Sequence, residues 1–206
     1  KVLYNQDDIT LQRNTLSINK IETNKINEKL AEIRLEIKTR YELKIKRIYI
    51  DNMNVEIEKN IYQNGITYLN IKATPIKFLD NYKISKIIYI KNDKEEELEV
   101  QRRIDIRFYK EIFSIMDWQS LDEISAENIK LMSDLDFNSK NDAKYNVSIG
   151  RLEGNNHTIK NININMNSSG GLIKEIKEEA NNINFDNIII NNTNTGQYSG
   201  IIASNS

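Results

Sequence analysis

Two segments near the end of the chain repeat the same alternation of isoleucine and asparagine. The first, IKNININMNSSGGLI, spans residues 159–173, and the second, FDNIIINNTNTGQYSGII, spans residues 185–202. When the segments are aligned, three apolar pairs lie 26 residues apart and two lie 29 apart: Ile159 and Phe185, Ile162 and Ile188, Ile164 and Ile190, then Leu172 and Ile201, Ile173 and Ile202. Fixed apolar positions with a loop of variable length are typical of a solenoid, in which each coil buries its apolar face by stacking on the next.

The alternation also indicates how each coil is built. Successive side chains of a strand point to opposite faces, so isoleucine would face a narrow core while asparagine faces outward or lies at corners. Asparagine tolerates a left-handed backbone, and its amide can hydrogen-bond to the equivalent amide on the next coil. The sequence therefore predicts a right-handed parallel β-helix. We expect tight bends at Gly170, Gly171 and Gly200 and further coils after Ser206.

A short helix is predicted just before the first coil. Trp118, Leu121 and Ile124 recur every three residues in DWQSLDEIS, which places them on one face of a helix over about 117–125. Asp117 can accept hydrogen bonds in the first turn of that helix. A β-helix has an apolar end that must be covered. We therefore expect the helix to cap the first coil, and we assign residues 113–206 to the cap and the β-helix.

Residues 31–112 alternate apolar and polar side chains with a period of two, beginning with Ile33, Leu35 and Ile37. About six or seven short strands, separated by the turn sequences DNMN, QNG and KNDKEEE, predict an antiparallel sandwich of immunoglobulin-like type. Residues 1–30 are polar and are assigned to an N-terminal linker with one strand. The stretch 24–33, NKINEKLAEI, fits a helix.

Composition excludes several classes of function. The chain carries 29 basic and 30 acidic residues, a net charge of -1, so we expect no basic surface for nucleic acid. It has no cysteine, which removes disulfides, thiolate nucleophiles and zinc sites built on thiolates. No apolar run approaches the roughly 20 residues that span a bilayer, so we expect no membrane insertion.

Several motifs in the second half of the chain resemble a known family. They are FYK at 108–110, DWQSL at 117–121, LMSDLDF at 131–137, GRLEG at 150–154, TIKNINI at 158–164, GGLI at 170–173 and YSGIIA at 198–203. Together they resemble the N-terminal region of the immunoglobulin A protease family of Gram-positive zinc metallopeptidases, and the GLUG repeats of bacterial surface proteins and adhesins. The resemblance implies an extracellular or cell-wall-associated bacterial protein whose partner is a host glycoprotein or glycan.

The zinc site of that family cannot lie in this chain. Such peptidases use His-Glu-x-x-His, in which two histidines hold the metal and the glutamate activates water. The chain has one histidine, His157, which we expect to be a solvent-facing turn residue. We therefore assign no catalytic, cofactor-binding or metal-binding residue, and place any peptidase activity of a longer protein beyond Ser206. The expected function is that of a non-catalytic spacer or binding module.

Two other functions stay open. The same module would also suit an adhesin without a protease domain, which binds host protein or glycan. Alternatively, Asp134, Asp136 and Glu153 would form the carboxylate cluster of a carbohydrate-active β-helix enzyme, because clustered acids bind calcium or perform acid/base hydrolysis. Since these acids lie among structural repeats, we favour a role in turns and at strand edges over a catalytic one.

Overall fold

A computed structural model describes residues 16–39, 42–124, 126–138, 144–194 and 196–203. The described chain is mostly β, with antiparallel and parallel sheets and a short helix. It divides into two compact units. The first is the chain up to Lys77 together with Asn81–Ile106, and the second is Phe78–Asp80 together with Arg107–Ser206. The expectations for residues 1–15 lie outside the described part.

The first unit contains two antiparallel sheets. One is formed by the strands Ser17–Asn27 (β1), Leu30–Lys38 (β2), Ile66–Pro75 (β5) and Met53–Gln63 (β4), in the order β1-β2-β5-β4. The other is formed by Lys44–Ile50 (β3), Asn81–Lys91 (β6) and Lys94–Asp105 (β7), in the order β3-β6-β7. Each sheet therefore combines strands that are distant in sequence, which is typical of a fold built from antiparallel hairpins and longer connections.

Period-two alternation explains why these segments are strands. On β2, Ile33, Leu35 and Ile37 are buried, and the residues between them are more exposed. The register places Ile33 beside Ile71 and Leu35 beside Leu69 of β5, so the two strands share one apolar face.

The helix predicted over 24–33 is wrong, because these residues form the end of β1, a turn and the start of β2. The Asn27 side chain accepts a hydrogen bond from the backbone N–H of Lys29 at 2.8 Å, which stabilises the turn. Beyond the turn, Ala31 and Ile33 continue the period-two burial of β2. Long-range pairing with β5 therefore outweighs the local helical propensity of the segment.

The second unit contains two parallel sheets. One is formed by Ser199–Ile202 (β15), Gly170–Asn181 (β13), Val147–Glu153 (β11), Glu127–Leu131 (β9) and Lys110–Ile112 (β8), in the order β15-β13-β11-β9-β8. The other is formed by Leu135–Asp136 (β10), Thr158–Met166 (β12) and Asn184–Asn192 (β14), in the order β10-β12-β14. From β9 to β15 the chain passes alternately from one sheet to the other, so strands of successive circuits lie side by side.

This register stacks apolar side chains into columns. One column contains Leu135, Ile159 and Phe185. The register also pairs Ile162 with Ile188 and Ile164 with Ile190. These are the same pairs that the alignment of the two repeated segments gives. In the other sheet Ile173 lies between Val147 and Ile202. Side chains from both sheets join in one buried core, so each circuit supplies a layer of it.

The helix α1 spans Ile115–Gln119 and is shorter than predicted. Its N-cap is Ser114, and the Asp117 carboxylate accepts hydrogen bonds from the Ser114 hydroxyl and the Phe113 N–H. Trp118 and Leu121 are buried, but Ile124 is 85% exposed. The predicted apolar face of three residues is therefore wrong at Ile124. The Asp122 side chain accepts a hydrogen bond from the Ile124 N–H in a turn beyond the helix, which directs this segment away from a helical path.

Candidate functional site on the parallel sheets

A ladder of polar side chains crosses the sheet of β10, β12 and β14. The Asn161 amide nitrogen donates to Asp136 Oδ1 at 2.8 Å, and the Asn187 amide nitrogen donates to Asn161 Oδ1 at 2.8 Å. Both asparagines have positive φ, 57° and 48°, within their strands. Asparagine adopts this left-handed conformation more readily than most residues, and the two such residues lie at equivalent positions of neighbouring strands, between the pairs Lys160–Asp186 and Ile162–Ile188.

Further amides extend the same type of contact. The Asn191 amide donates to Asn165 Oδ1 at 3.1 Å and to Asn163 Oδ1 at 3.3 Å. At another corner the Asn182 amide donates to Glu153 Oε1 at 3.2 Å, which also accepts the backbone N–H of Asn155 at 2.9 Å. The outward-facing polar residues therefore link one circuit to the next.

The predicted acids Asp134, Asp136 and Glu153 each accept hydrogen bonds from the turn or strand beside them. Asp134 Oδ1 accepts the Thr158 N–H at 3.0 Å and lies 3.1 Å from His157 Nδ1. Asp136 accepts the Asn161 amide and, at 2.9 Å, the Asn138 N–H. Within the described ranges, no group of three acidic or histidine side chains is arranged to hold a metal ion.

These hydrogen bonds also favour the charged form of two of the acids. The Thr158 N–H, with His157, holds the pKa of Asp134 below its ordinary value. The Asn161 amide, with the Asn138 N–H, does the same to the pKa of Asp136. Both carboxylates are thus ionised acceptors near neutral pH, whereas a general acid needs a raised pKa.

His157 is held in the turn between β11 and β12. Its backbone N–H donates to the Gly154 carbonyl at 2.8 Å, and its backbone carbonyl accepts the Asn184 N–H at 3.1 Å. Its side chain is 29% exposed. The contact between His157 and Asp134 spans 23 residues in sequence. No local sequence pattern predicts it, because it depends on the register of β10 and β12.

A second polar cluster within the second unit was not predicted from the sequence. Asp80 accepts hydrogen bonds from Arg151 Nε at 2.7 Å and Asn128 Nδ2 at 2.9 Å, and Arg107 Nε lies 3.1 Å away. Arg151 also pairs with Glu179. Burial raises the pKa of Asp80, but the hydrogen bonds from Arg151 and Asn128 outweigh it, and the pKa is lowered overall. The cluster holds a half-buried carboxylate in its ionised form.

One of the three glycines predicted at tight bends, Gly171, permits the close approach of two strands. Gly170 and Gly171 begin β13, and Gly200 lies within β15. A β-carbon at Gly171 would clash with the carbonyl oxygen of Gly200 on the neighbouring strand. The Asn146 side chain accepts the Gly171 N–H at 3.0 Å, and the Asn146 N–H donates to the Gly171 carbonyl at 2.8 Å. The missing side chain is therefore needed for packing between strands.

The last circuit is less buried than the one before it. Phe185, Ile188 and Ile190 are half-buried. Their partners on β12 are at most 3% exposed: Ile159, Ile162 and Ile164. The strand β14 lies at the edge of its sheet, so it presents apolar side chains and backbone polar groups that no further strand in the described ranges covers.

An open cavity of about 440 Å³ lies beside this end of the other sheet. Its lining residues include Ser169, Lys174, Glu175, Lys177 and Tyr198, and Tyr198 is 78% exposed. A volume of this size falls in the range of small-molecule sites. Hydroxyl, ammonium and aromatic groups together suit a sugar, which offers hydroxyls for hydrogen bonds and a C–H face for an aromatic ring.

In comparisons with known proteins, no family model and no curated protein matches the chain significantly. Across the described residues, no helix has both the length and the apolar character needed to cross a bilayer. The assignment of function therefore depends on the geometry of the strands and their side chains.

Proposed function

We propose that this chain is a non-catalytic extracellular spacer or binding module of a bacterial surface protein. In this proposal an immunoglobulin-like sandwich is followed by the first coils of a right-handed parallel β-helix, and α1 caps the first coil. The motifs that resemble the immunoglobulin A protease family, and the GLUG repeats, support this context. The module would hold a distant catalytic or binding domain away from the cell wall.

The strand orders of the first unit support the sandwich. If β1 to β7 are lettered A to G, the sheets have the orders A-B-E-D and C-F-G, which are those of a constant-type immunoglobulin domain. Tyr82, at the start of strand F, donates its hydroxyl to the Lys77 carbonyl oxygen at 2.7 Å. This contact matches the tyrosine corner of such domains. The apolar faces of both sheets are buried, as a sandwich requires.

The second unit supports the β-helix. Parallel strands that alternate between two sheets, with register offsets close to one circuit, are the pattern expected of a coiled chain. Right-handed crossovers are the rule for parallel strands, which supports the predicted hand.

The observation that carries the proposed function is the ladder of Asp136, Asn161 and Asn187. Asp136, one of the three acids that the carbohydrate-active alternative would use, accepts the Asn161 amide within the stack instead. A stack with apolar columns inside and amide ladders outside resists bending between circuits, as a spacer must.

Two assays test this proposal. The purified chain should cleave neither immunoglobulin A, with or without a chelator, nor any member of a polysaccharide panel. Antibodies against the chain should label intact cells that produce it. Turnover that is lost in Asp136→Asn and kept in the exposed-site variant Asp105→Asn would overturn the non-catalytic assignment. Labelling confined to permeabilised cells would overturn the surface location.

The cavity lined by Tyr198 favours one alternative, an adhesin module that binds a host glycan. Binding of the chain to a glycan array would support the adhesin alternative if Tyr198→Ala reduced the affinity at least about tenfold, the effect expected for loss of one stacking contact. The control Tyr68→Ala, in the other unit, should leave the affinity unchanged. Absence of binding to every glycan and host glycoprotein would leave the spacer role.

A further inference from the structure

The chain leaves the first unit before that unit is complete and later returns to it. Three residues between β5 and β6, Phe78–Asp80, belong to the second unit, and the chain then returns to the first unit for Asn81–Ile106. We call Phe78–Asp80 the anchor segment and Asn81–Ile106, which contains β6 and β7, the β6–β7 loop. Residues of the second unit therefore flank this loop on both sides.

Backbone hydrogen bonds hold the anchor segment in the second unit. The Phe78 carbonyl accepts the Asn128 N–H at 2.8 Å, and the Leu79 carbonyl accepts the Phe108 N–H at 3.1 Å. The Phe78 N–H donates to the Glu127 carboxylate at 3.1 Å. Phe108 and Asn128 are 0% and 3% exposed, so the anchor segment is attached to buried residues of that unit.

The side chain of Asp80 adds charged contacts to the anchor segment. Its carboxylate accepts hydrogen bonds from Arg151 Nε at 2.7 Å and from Asn128 Nδ2 at 2.9 Å. Arg107, the residue that follows the β6–β7 loop, has its Nε atom 3.1 Å from Asp80 Oδ1. This contact and the backbone bond from Phe108 to Leu79 join the two ends of the loop.

We propose that the anchor segment keeps tension away from the β6–β7 loop, which is then a reserve of chain length that is released when the segment detaches. Tension between the two ends of the chain follows the covalent path through β1 to β5 and enters the second unit at Phe78. While the hydrogen bonds of the anchor segment hold, the loop carries no load. The inference rests on the proposed spacer role, in which the chain is pulled when the domain that it carries binds a target.

We expect the strands of the first unit to be released in two steps. The strands β1 to β5 precede the anchor segment and lie in the path of the tension, whereas β6 and β7 follow it. Detachment of the anchor segment is a local opening of the second unit. It releases the 26 residues Asn81–Ile106, an extension of roughly 90 Å at about 3.3–3.6 Å per residue. A sandwich joined to the next unit by a single linker would release all its strands together.

Single-molecule force spectroscopy on the full chain, held by handles at its two ends, tests the proposal. The expected result is a step of roughly 90 Å that is separate from the release of the strands before Lys77. Asp80→Asn should lower the force of this step, because one carboxylate oxygen is replaced by an amide nitrogen, which donates rather than accepts. The matched change Asp105→Asn, at a side chain that is 90% exposed within the loop, should leave the force unchanged.

Insertions assign the separate step to the β6–β7 loop. About ten glycine and serine residues placed between Asn92 and Asp93, in the exposed turn between β6 and β7, should lengthen this step by roughly 35 Å and leave the earlier step unchanged. The same insertion between Asn64 and Gly65, in the turn between β4 and β5, is the matched control. It should lengthen the earlier step alone.

The other outcomes also decide the matter. Release of all strands of the first unit in one step, lengthened alike by both insertions, would overturn the proposal. A separate step with the same force in Asp80→Asn and in the parent would contradict the role of the anchor segment. If Asp80→Asn does not fold, Glu127→Ala provides the test, because it removes the acceptor of the Phe78 N–H. Failure of the spacer role would be visible separately, in the cleavage and cell-labelling assays, which apply no force.

Discussion

The hydroxyl of Tyr82 lies 2.7 Å from the carbonyl oxygen of Lys77, and the Tyr82 side chain is only 2% exposed. The bond fixes the start of β6 relative to the segment that follows β5. The ring is buried, whereas the hydrogen bond itself is partly buried and Lys77 is exposed. The contact is therefore a specific constraint on the first unit.

Tyr82→Phe should destabilise the first unit by about 1 kcal/mol, since it removes the donor of a partly buried hydrogen bond. Urea unfolding followed by circular dichroism measures the change. Tyr68→Phe is the matched control, because Tyr68 is 37% exposed on a strand of the same unit. That control should stay within about 0.5 kcal/mol of the parent. Equal effects of the two changes would contradict the tyrosine-corner role.

Asp80→Ala should destabilise the second unit by about 2 kcal/mol. It removes the acceptor of Arg151 and Asn128 and leaves the guanidinium, whose side chain is 14% exposed, with one partner fewer. The double variant Asp80→Ala with Arg151→Met should recover part of the loss, because no half-buried cation then remains.

The control for this cluster is the pair of Arg103 and Asp105, whose side chains are 68% and 90% exposed. Asp105→Asn should change the free energy of unfolding by less than about 0.5 kcal/mol. A loss at Asp80 no larger than the loss at Asp105 would mean that the cluster contributes no more than a surface ion pair.

Gly171→Ala should destabilise the second unit by about 1–3 kcal/mol, because the added methyl group meets the backbone carbonyl of Gly200, and a strand must shift to admit it. Gly196→Ala is the control, since the nearest atom to its β-carbon, Asn194 Oδ1, is 3.8 Å away. Thermal unfolding of both variants tests the contrast. A Gly171→Ala protein as stable as the parent would show that the strands separate without cost.

The spacing of apolar residues explains why the strand register of the repeat was predictable. Side chains that face a core must recur at the same positions in each circuit, so the 26-residue offset between Ile159 and Phe185 in sequence is also their pairing in the sheet. The sequence also contained a sign of the left-handed residue within β12. Ile159 and Ile162 are both buried although they lie three apart, which regular period-two alternation does not permit, and Asn161 between them has a φ of 57°.

The clusters could not be predicted in the same way. Arg151 and Asp80 lie 71 residues apart, and no periodicity connects an arginine of one strand with an aspartate in a loop. The length of α1 could not be predicted either. Leu121 and Ile124 are spaced as on a helix face, but the hydrogen bond from the Ile124 N–H to the Asp122 side chain forms a turn there instead. Hydrophobic patterns specify faces and registers, whereas polar contacts depend on where loops are placed.

The last prediction concerns acid. The pKa values of Asp80, Asp134 and Asp136 are all lowered in the folded chain. Burial raises the pKa of Asp80, but the hydrogen bonds from Arg151 and Asn128 outweigh it. The Thr158 N–H with His157 lowers the pKa of Asp134, and the Asn161 amide with the Asn138 N–H lowers that of Asp136. The unfolded chain has the ordinary aspartate pKa, about 3.9, and therefore takes up protons before the folded chain does. The three carboxylates therefore stabilise the fold above the unfolded pKa, and this stabilisation is lost as the pH falls through their pKa values in the folded chain.

Urea midpoints of the second unit should accordingly be similar at pH 7 and pH 5 and fall as the pH drops below about 3.9 toward the lowered pKa values of the folded chain. In a variant that combines Asp134→Asn and Asp136→Asn, the fall over the same range should be shallower, because two of the linked protons are gone while the amides still pair with Thr158 and Asn161. If the variant lost stability as steeply as the parent, the ladder would not depend on the charge of Asp136. The direction that this carboxylate imposes on Asn161 and Asn187 would then need another cause. A shallower fall would instead tie the direction of the hydrogen bonds in the ladder to the ionised Asp136.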